Sequence, residues 1–261
     1  MLKSKFAIDF QQSIKEREFW LTLAWVELKR SYSGTRLGVF WRPLSATIVG
    51  LTLGVVYSII LQQPAGEYVP YVITGLVVWT FISQLIIEGG KIFYANASQI
   101  KEVPLSYLSY VYKYLIRNSI SLLFSFLPVV IVLTYFGHIF DSRIFQTLFG
   151  VFLVSLNGFW VSIILGIATL YLKDLTEFTA NFMRLVFFIT PVLWTPEMAG
   201  AKGAIVVYNP LYYYLDIIRS PLIGHDINTH SYLITSSITV VGIVISYFIY
   251  NRSRDKISFL V

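Results

Sequence analysis

The sequence predicts an all-α membrane protein with six transmembrane helices, an N-terminal interfacial helix and a re-entrant helical segment before the last span. Of its 261 residues, 56% are hydrophobic and only 13% are charged, and the mean hydropathy is +0.68. Soluble domains carry about 25% charged residues, and a soluble protein of this length could not bury so much apolar surface in one core. The net charge of +6 is distributed between apolar blocks rather than on one dense basic face, so we predict no nucleic-acid partner.

Six segments hold the roughly 20 apolar residues that one helix needs to cross a hydrocarbon core about 30 Å thick. They lie at about residues 44–61, 69–87, 115–136, 144–171, 178–194 and 232–250. Together they predict a transmembrane domain over residues 44–250, between cytoplasmic tails at 1–43 and 251–261. The first block begins after some forty polar and mixed residues, which is too late for a signal peptide, so we expect no cleaved leader.

Lys and Arg residues predict the orientation, because cytoplasmic loops carry an excess of both. Seventeen of the 20 lie in segments that six spans place on one side of the membrane. The exceptions are Arg143, Lys202 and Arg219. We therefore predict a multi-pass protein with both termini in the cytoplasm and with membrane lipids around it.

The N-terminal tail contains a candidate interfacial helix at residues 16–31. Aromatic and leucine side chains alternate there with charged ones, which is typical of a helix lying at the level of the lipid headgroups. Two interpretations stay open for this helix, namely a simple membrane anchor and a docking surface.

The longest predicted cytoplasmic loop, residues 89–114, contains a candidate coupling helix. Gly89 and Gly90 end the second span, residues 91–103 hold no helix breaker, and Pro104 ends the run. A short helix presented to the cytoplasm suits the receipt of force from a partner protein. The alternative is a plain connector on the membrane surface.

Four of the nine prolines, Pro191, Pro196, Pro210 and Pro221, interrupt the chain before the last span. The apolar pieces between them are too short to cross a bilayer. Broken helices at membrane depth are tolerated only where protein or a water-filled cavity covers the freed backbone groups. We predict a re-entrant segment at residues 198–224 that borders a transport pathway, with an ordinary extracellular loop as the alternative.

The sequence offers no chemistry of its own for catalysis or for ATP binding. It contains no G-x-x-x-x-G-K-[ST] loop. Gly89-Gly90-Lys91 matches the Gly-Lys pair but lacks the leading glycine and the Ser or Thr of this motif. No cysteine is present, and His138, His225 and His230 lack the spacing of a metal site. We therefore predict no catalytic residue, no metal and no cofactor in this chain, so the energy for transport must come from another protein.

Aromatic residues make up 17% of the chain, with 18 Tyr among them. Sugar rings stack on aromatic faces and Tyr adds a hydroxyl group, so an aromatic-lined pore suits a polysaccharide. The candidates for pore lining are Tyr57, Trp79, Phe187, Trp194, Tyr212 and Tyr213. Interfacial belts and helix packing use the same residue types, and that alternative stays open.

Residues 28–43, LKRSYSGTRLGVFWRP, resemble the signature that precedes the first span in ABC transporter permeases of the polysaccharide-export class. Further similar motifs follow in the same order over nearly the whole chain. They are Gly75-Leu76 with Trp79, Asn96-Ala97 with Ile100-Lys101, Asp174, Thr190-Pro191-Val192, and Asn209-Pro210-Leu211 with Arg219. One departure is Glu27-Leu28-Lys29, where many members carry an Arg-Asp pair.

The resemblance implies a permease homodimer that works with two copies of a separate ABC ATPase subunit, which binds ATP and Mg²⁺. The pair would export a lipid-linked polysaccharide, most often O-antigen, capsule or teichoic acid, across the bacterial plasma (inner) membrane through a channel at the homodimer interface. The loop helix would dock on the ATPase through Asn96, Gln99, Ile100 and Lys101. At the cytoplasmic interface Arg30, Arg36 and Arg42 are candidates for binding the lipid pyrophosphate, or simply anionic lipid headgroups.

Two other functional classes are compatible with parts of this pattern. A permease that exports a drug or a small lipid would share the fold and the ATPase partner, and the neighbouring genes would distinguish it. An intramembrane glycosyltransferase or acyltransferase would need a polar catalytic cluster in or beside the spans, and the sequence shows none.

Overall fold

The computed structural model describes residues 4–31, 34, 36, 38–138, 142–226 and 228–261, with the side chains of Val39, Arg42, Ala201 and Lys202 outside that description. In this part of the chain every regular element is a helix, which confirms the predicted all-α class. The α-helices are α1 (Lys5–Lys15), α2 (Arg17–Arg30), α3 (Trp41–Ile60), α4 (Ala65–Ile87), α5 (Ile92–Ala95), α6 (Ala97–Glu102), α7 (Tyr107–Tyr135), α8 (Arg143–Tyr171), α9 (Leu175–Ile189), α10 (Pro210–Leu222), α11 (Thr229–Ser253) and α12 (Ile257–Leu260). Short 3-10 helices lie at Gly38–Phe40, Gly89–Lys91, Gly200–Tyr208 and Arg254–Lys256.

Among the described residues, five helices are long and apolar enough to cross a membrane, namely α3, α4, α7, α8 and α11. They confirm a multi-pass membrane protein. The predicted fifth span, 178–194, corresponds to α9, which has 15 residues and ends at Ile189. At 1.5 Å per residue α9 is about 22 Å long. The chain leaves the helix at Thr190, whose ψ is 136°, because Pro191 disfavours a helical residue before it. The six-span count and the re-entrant segment stay predictions.

Helix α4 is the centre of the bundle and packs against α3, α7, α8, α9 and α10. Its buried side chains include Ile73, Val78 and Ile82. By contrast, α3 and α11 leave most of their apolar surface outside the protein. In the most apolar part of each helix, only 22% of the residues are buried. These two helices therefore present apolar faces to lipid or to another chain.

Helices α8 and α11 approach closely because a glycine lies where they meet. A Cβ atom added to Gly242 would lie 2.2 Å from Cε2 of the Trp160 ring. We expect Gly242→Ala to lower the free energy of unfolding by about 1–3 kcal/mol, since the indole must move to relieve the overlap. Denaturant unfolding in detergent micelles measures this change. The matched control is Gly66→Ala on α4, whose added Cβ would lie 3.8 Å from its nearest neighbour; an equal loss in both variants would contradict the packing argument.

Both chain termini lie at the same end of the bundle. Asp9 of α1 is fully buried and accepts hydrogen bonds from the Tyr250 hydroxyl at 2.5 Å and from Arg254 Nε and Nη2, each at 3.0 Å. The Ser106 hydroxyl, in the loop before α7, donates to the Asp9 carbonyl at 2.8 Å. The N-terminal helix, the C-terminal end of α11 and this loop therefore share one side. The N-terminal tail thus holds two helices, α1 and α2, where its pattern of aromatic and charged residues predicts one at 16–31.

Candidate functional site

The predicted coupling segment consists of a 3-10 helix at Gly89–Lys91 followed by α5 and α6, rather than one continuous helix over 91–103. The interruption is at Asn96, where φ is −110° and ψ is 20°. Its side-chain Nδ2 donates back to the Ile92 carbonyl at 2.6 Å, a local bond of the kind that competes with regular helix.

The predicted ATPase contacts divide between a buried and an exposed face of this segment. Asn96 and Ile100 are buried, Gln99 is half-buried with its Oε1 lacking a hydrogen-bond partner, and Lys101 is exposed. The i, i+4 spacing of Ile92, Asn96 and Ile100 is the sequence signal for the buried face, which the motif-based prediction did not use. A partner would meet the exposed residues Tyr94, Ser98 and Lys101, while contact through Asn96 stays a prediction.

A charge cluster that sequence reasoning missed lies directly behind the coupling segment. Lys113 of α7 donates from Nζ to Glu27 Oε1 at 2.6 Å and to Asn96 Oδ1. One turn later, Arg117 donates to Glu27 Oε2 at 3.3 Å and pairs with Glu88 at the end of α4. The cluster lines a cavity of about 320 Å³. Helices α2, α4 and α7 and the coupling segment are thus connected by side-chain charge.

The structure describes two of the three basic candidates for the lipid pyrophosphate. Arg30 ends α2 and is exposed, and Arg36 is exposed in the turn that follows. The side chain of Arg42 lies outside the described part of the chain. Their role as anion ligands stays a prediction.

Two of the aromatic pore candidates meet in a groove between α4 and α9. Trp79 and Phe187 have ring centroids 5.7 Å apart, and both line a groove of about 650 Å³. Trp194 is half-buried in the segment that follows α9, and its indole N–H donates to the Phe188 carbonyl at 3.2 Å. Tyr57 lies on α3 and does not line this groove.

The irregular chain after α9 is held by side chains of α4 and α10. The buried Arg219 guanidinium lies 3.9 Å from the Tyr71 ring centroid and donates from Nη1 to the Pro191 carbonyl at 2.7 Å. The Tyr71 hydroxyl is 2.9 Å from the carbonyl oxygens of both Pro191 and Trp194. Backbone carbonyls freed by the break thus accept hydrogen bonds from protein side chains, which is what the predicted re-entrant segment would need.

Tyr212 and Tyr213 on α10 point in different directions. Tyr212 lines a cavity of about 390 Å³ with Tyr71 and Arg219, at the bundle end opposite the termini. Burial raises the pKa of Tyr212 to about 12, so its phenol stays protonated and can donate a hydrogen bond. Tyr213 is buried, and its hydroxyl donates to the Val207 carbonyl at 2.8 Å. Of the two, only Tyr212 faces this cavity. Within the described ranges, no group of three or more His, Asp or Glu residues could hold a metal ion.

The sequence profile of the ABC-2 type transporter family matches residues 18–223, a range that includes the coupling segment, the charge cluster and α10. The chain belongs to the ABC-2 type transporter family. Three relatives that it resembles are each named O-antigen export system permease protein RfbA. One from Klebsiella pneumoniae is 24% identical over 235 residues, covering 84% of this chain and 87% of the relative. A second from Klebsiella pneumoniae is 22% identical over 231 residues, with the same shares of 84% and 87%. One from Myxococcus xanthus is 23% identical over 201 residues, covering 75% and 76%.

These matches confirm the resemblance to ABC transporter permeases of the polysaccharide-export class. In this family member the five long apolar helices form the membrane bundle. The coupling segment lies at the end where the two termini meet, and the cavity beside Arg219 lies at the other end.

Proposed function

We propose that this ABC-2 permease is the membrane subunit of an ATP-driven exporter that moves a lipid-linked polysaccharide, specifically O-antigen, across the bacterial plasma (inner) membrane. The observation that carries the proposal is the match to permeases named for O-antigen export over 84% of the chain. Both termini and the coupling segment would face the cytoplasm, and the excess of Lys and Arg on their side of the predicted spans supports this orientation.

ATP hydrolysis would be supplied by two copies of a separate ABC ATPase subunit, because the sequence has no phosphate-binding loop of its own. The ATPase would dock against the exposed face of the coupling segment, which Tyr94, Ser98 and Lys101 provide. Lys101 adds a positive charge to that surface. Movement of the segment would then reach the spans through the side chains behind it.

The transport channel would form between two copies of the permease. In one copy the groove between α4 and α9 is lined by the half-buried Phe187 and by the edge of Trp79, which is only 7% exposed. A second copy would supply the opposite wall, and the sugar rings would slide over aromatic faces that bind them without strong polar contacts. At the cytoplasmic entrance, Arg30, Arg36 and Arg42 would receive the pyrophosphate of the lipid carrier.

Depletion of the permease in its native cell tests this function. We expect lipid-linked O-antigen to accumulate in the cytoplasmic leaflet and surface O-antigen to fall at least tenfold. The same phenotype should follow from an inactive partner ATPase, and the two proteins should co-purify. Normal surface O-antigen with loss of drug resistance or of a small exported lipid would instead identify the alternative exporter class.

The orientation can be measured directly because the chain has no native cysteine. We expect Ala65→Cys and Ser142→Cys to react with a membrane-impermeant thiol reagent in spheroplasts. Ser98→Cys and Lys256→Cys should react only after the membrane is permeabilised. All four positions are exposed on the protein, so burial does not limit labelling. Labelling of Ser98→Cys in intact spheroplasts would reverse the proposed orientation.

A further inference from the structure

Lys113 holds three separate elements together at the cytoplasmic end of the bundle as oriented above. Its side chain is only 3% exposed, yet it carries an ammonium group in the second turn of α7. That group donates to Glu27 on α2 and to Asn96 between α5 and α6. One buried cation on α7 therefore connects the coupling segment with α2.

The energetic consequence follows from burial. A buried ammonium is strongly unfavourable unless acceptors replace the water it has lost, and removing one acceptor from such a group is costly. Moving the coupling segment away from α7 would take the Asn96 oxygen from Lys113, and moving α2 away would take Glu27. Each separation is opposed, so the three elements are held to one another.

The two acceptors differ in how they are supported. Glu27 is held independently of Lys113, because Arg117 also donates to it and pairs in turn with Glu88. The coupling segment forms its side-chain hydrogen bond to this cluster through Asn96, and α5 also packs on α7, where the ring centroids of Phe93 and Tyr107 are 6.4 Å apart. The Lys113–Asn96 hydrogen bond is therefore the polar contact that joins the segment to Glu27 and α2, and its removal leaves the apolar packing of α5 on α7 and α8 in place.

We propose that Lys113 is a positioning residue that makes the coupling segment and α2 move as one unit, so that displacement of the segment reaches the membrane helices. The inference rests on the proposed function, since an ATPase must push on the segment. The exposed docking face at Tyr94, Ser98 and Lys101 does not include this bond. Loss of the bond therefore leaves ATPase binding intact and separates ATP hydrolysis from export.

The test uses the permease–ATPase complex in vesicles loaded with lipid-linked O-antigen, and measures glycan moved per ATP hydrolysed. Asn96→Leu and Lys113→Met should each lower this ratio at least fivefold while the ATPase stays bound. Asn96→Asp should stay within twofold of the parent, because a carboxylate oxygen still accepts from Lys113. The double variant of Asn96→Leu and Lys113→Met should be no worse than Lys113→Met alone, since Lys113→Met already removes the bond to Asn96 together with the one to Glu27. Lys256→Met, at an exposed lysine, is the control.

Several results would overturn the inference. If Asn96→Asp is as defective as Asn96→Leu, the bond from Asn96 Nδ2 to the Ile92 carbonyl matters instead, and the role of Asn96 is local structure. Additive losses in the double variant would show two independent effects. If Lys113→Met does not insert into the membrane, the comparison of Asn96→Leu with Asn96→Asp tests the inference. If these two variants also do not insert, Asn96 is needed for folding and has no separate role in coupling. A parent complex without bound ATPase, or with ATP-independent export, would refute the proposed function rather than the role of Lys113.

Discussion

Arg219→Met is expected to reduce export at least tenfold and to lower the free energy of unfolding by about 3 kcal/mol. The substitution removes the Arg219 donor at 2.7 Å from the Pro191 carbonyl, which still accepts from the Tyr71 hydroxyl at 2.9 Å, so the lost hydrogen bond costs about 1 kcal/mol. It also removes the stacking on Tyr71, which contributes about 2 kcal/mol at a desolvated site. The irregular chain after α9 then loses one of its side-chain connections to α10, and the hydrogen bond from Asn209 to Thr190 remains. Surface O-antigen per inserted permease and denaturant unfolding in micelles measure the two effects.

Arg143→Met is the matched control, because Arg143 lies at the same bundle end but on the surface. Its guanidinium pairs at 3.1 Å with Asp226, whose side chain is 95% exposed, and also donates to the Gly224 carbonyl after α10. A surface ion pair of this kind contributes about 0–1 kcal/mol, and an exposed hydrogen bond to a backbone carbonyl about as much. We expect export near the parent level. ATPase co-purification should be unchanged in both variants, because both residues are remote from the coupling segment. Parent-level export from Arg219→Met would show that Arg219 and the 390 Å³ cavity that it lines with Tyr71 and Tyr212 are not needed for export.

Ser98→Trp is expected to reduce ATPase co-purification and export by at least tenfold. Ser98 is exposed on α6, so a large side chain there is tolerated by the fold but occupies the surface on which the ATPase would dock. The amount of permease inserted in the membrane should not change. Pull-down of the tagged permease followed by quantification of the ATPase measures the contact directly.

The corresponding control is Ser142→Trp, which places the same ring on an exposed serine at the opposite bundle end. It should bind the ATPase and export O-antigen as the parent does. If Ser98→Trp binds the ATPase normally while exporting normally, the coupling segment is not the docking surface. Loss of binding in both variants would point to a general effect of the added indole.

Hydropathy predicted the bundle well because apolar blocks mark the chain that lies at membrane depth. It was less accurate for helix ends, which depend on capping and on charge pairs. Helix α7 begins at Tyr107 rather than at 115, since the Ser106 hydroxyl caps it by accepting from the Leu108 amide. The first turns of α7, before residue 115, are stable although they carry charges, because Lys113 and the nearby Arg117 have carboxylate partners on other elements. Such partners come from distant parts of the sequence, so hydropathy has no information about them.

In the candidate site, too, local sequence predicted where segments lie but not which distant residues they contact. The breakers Gly89, Gly90 and Pro104 indicated a short helical segment in this loop, and four clustered prolines indicated the broken chain after α9. Which face of the segment is buried depended on the i, i+4 series of Ile92, Asn96 and Ile100. The burial of Arg219 against Tyr71 could not be read from the sequence, because the two residues are far apart in the chain and meet only after α10 packs on α4.

The buried carboxylate of Asp9 has a consequence for the order of events during synthesis. Its hydrogen-bond partners Tyr250 and Arg254 are translated 241 and 245 residues later. At about 5–20 residues per second, the ribosome reaches Tyr250 some 10–50 s after Asp9. Until then Asp9 lacks both partners, and docking of α1 would bury a carboxyl group that has no donor. A chain that is truncated before the last helix is therefore expected to leave α1 undocked and accessible to an added protease.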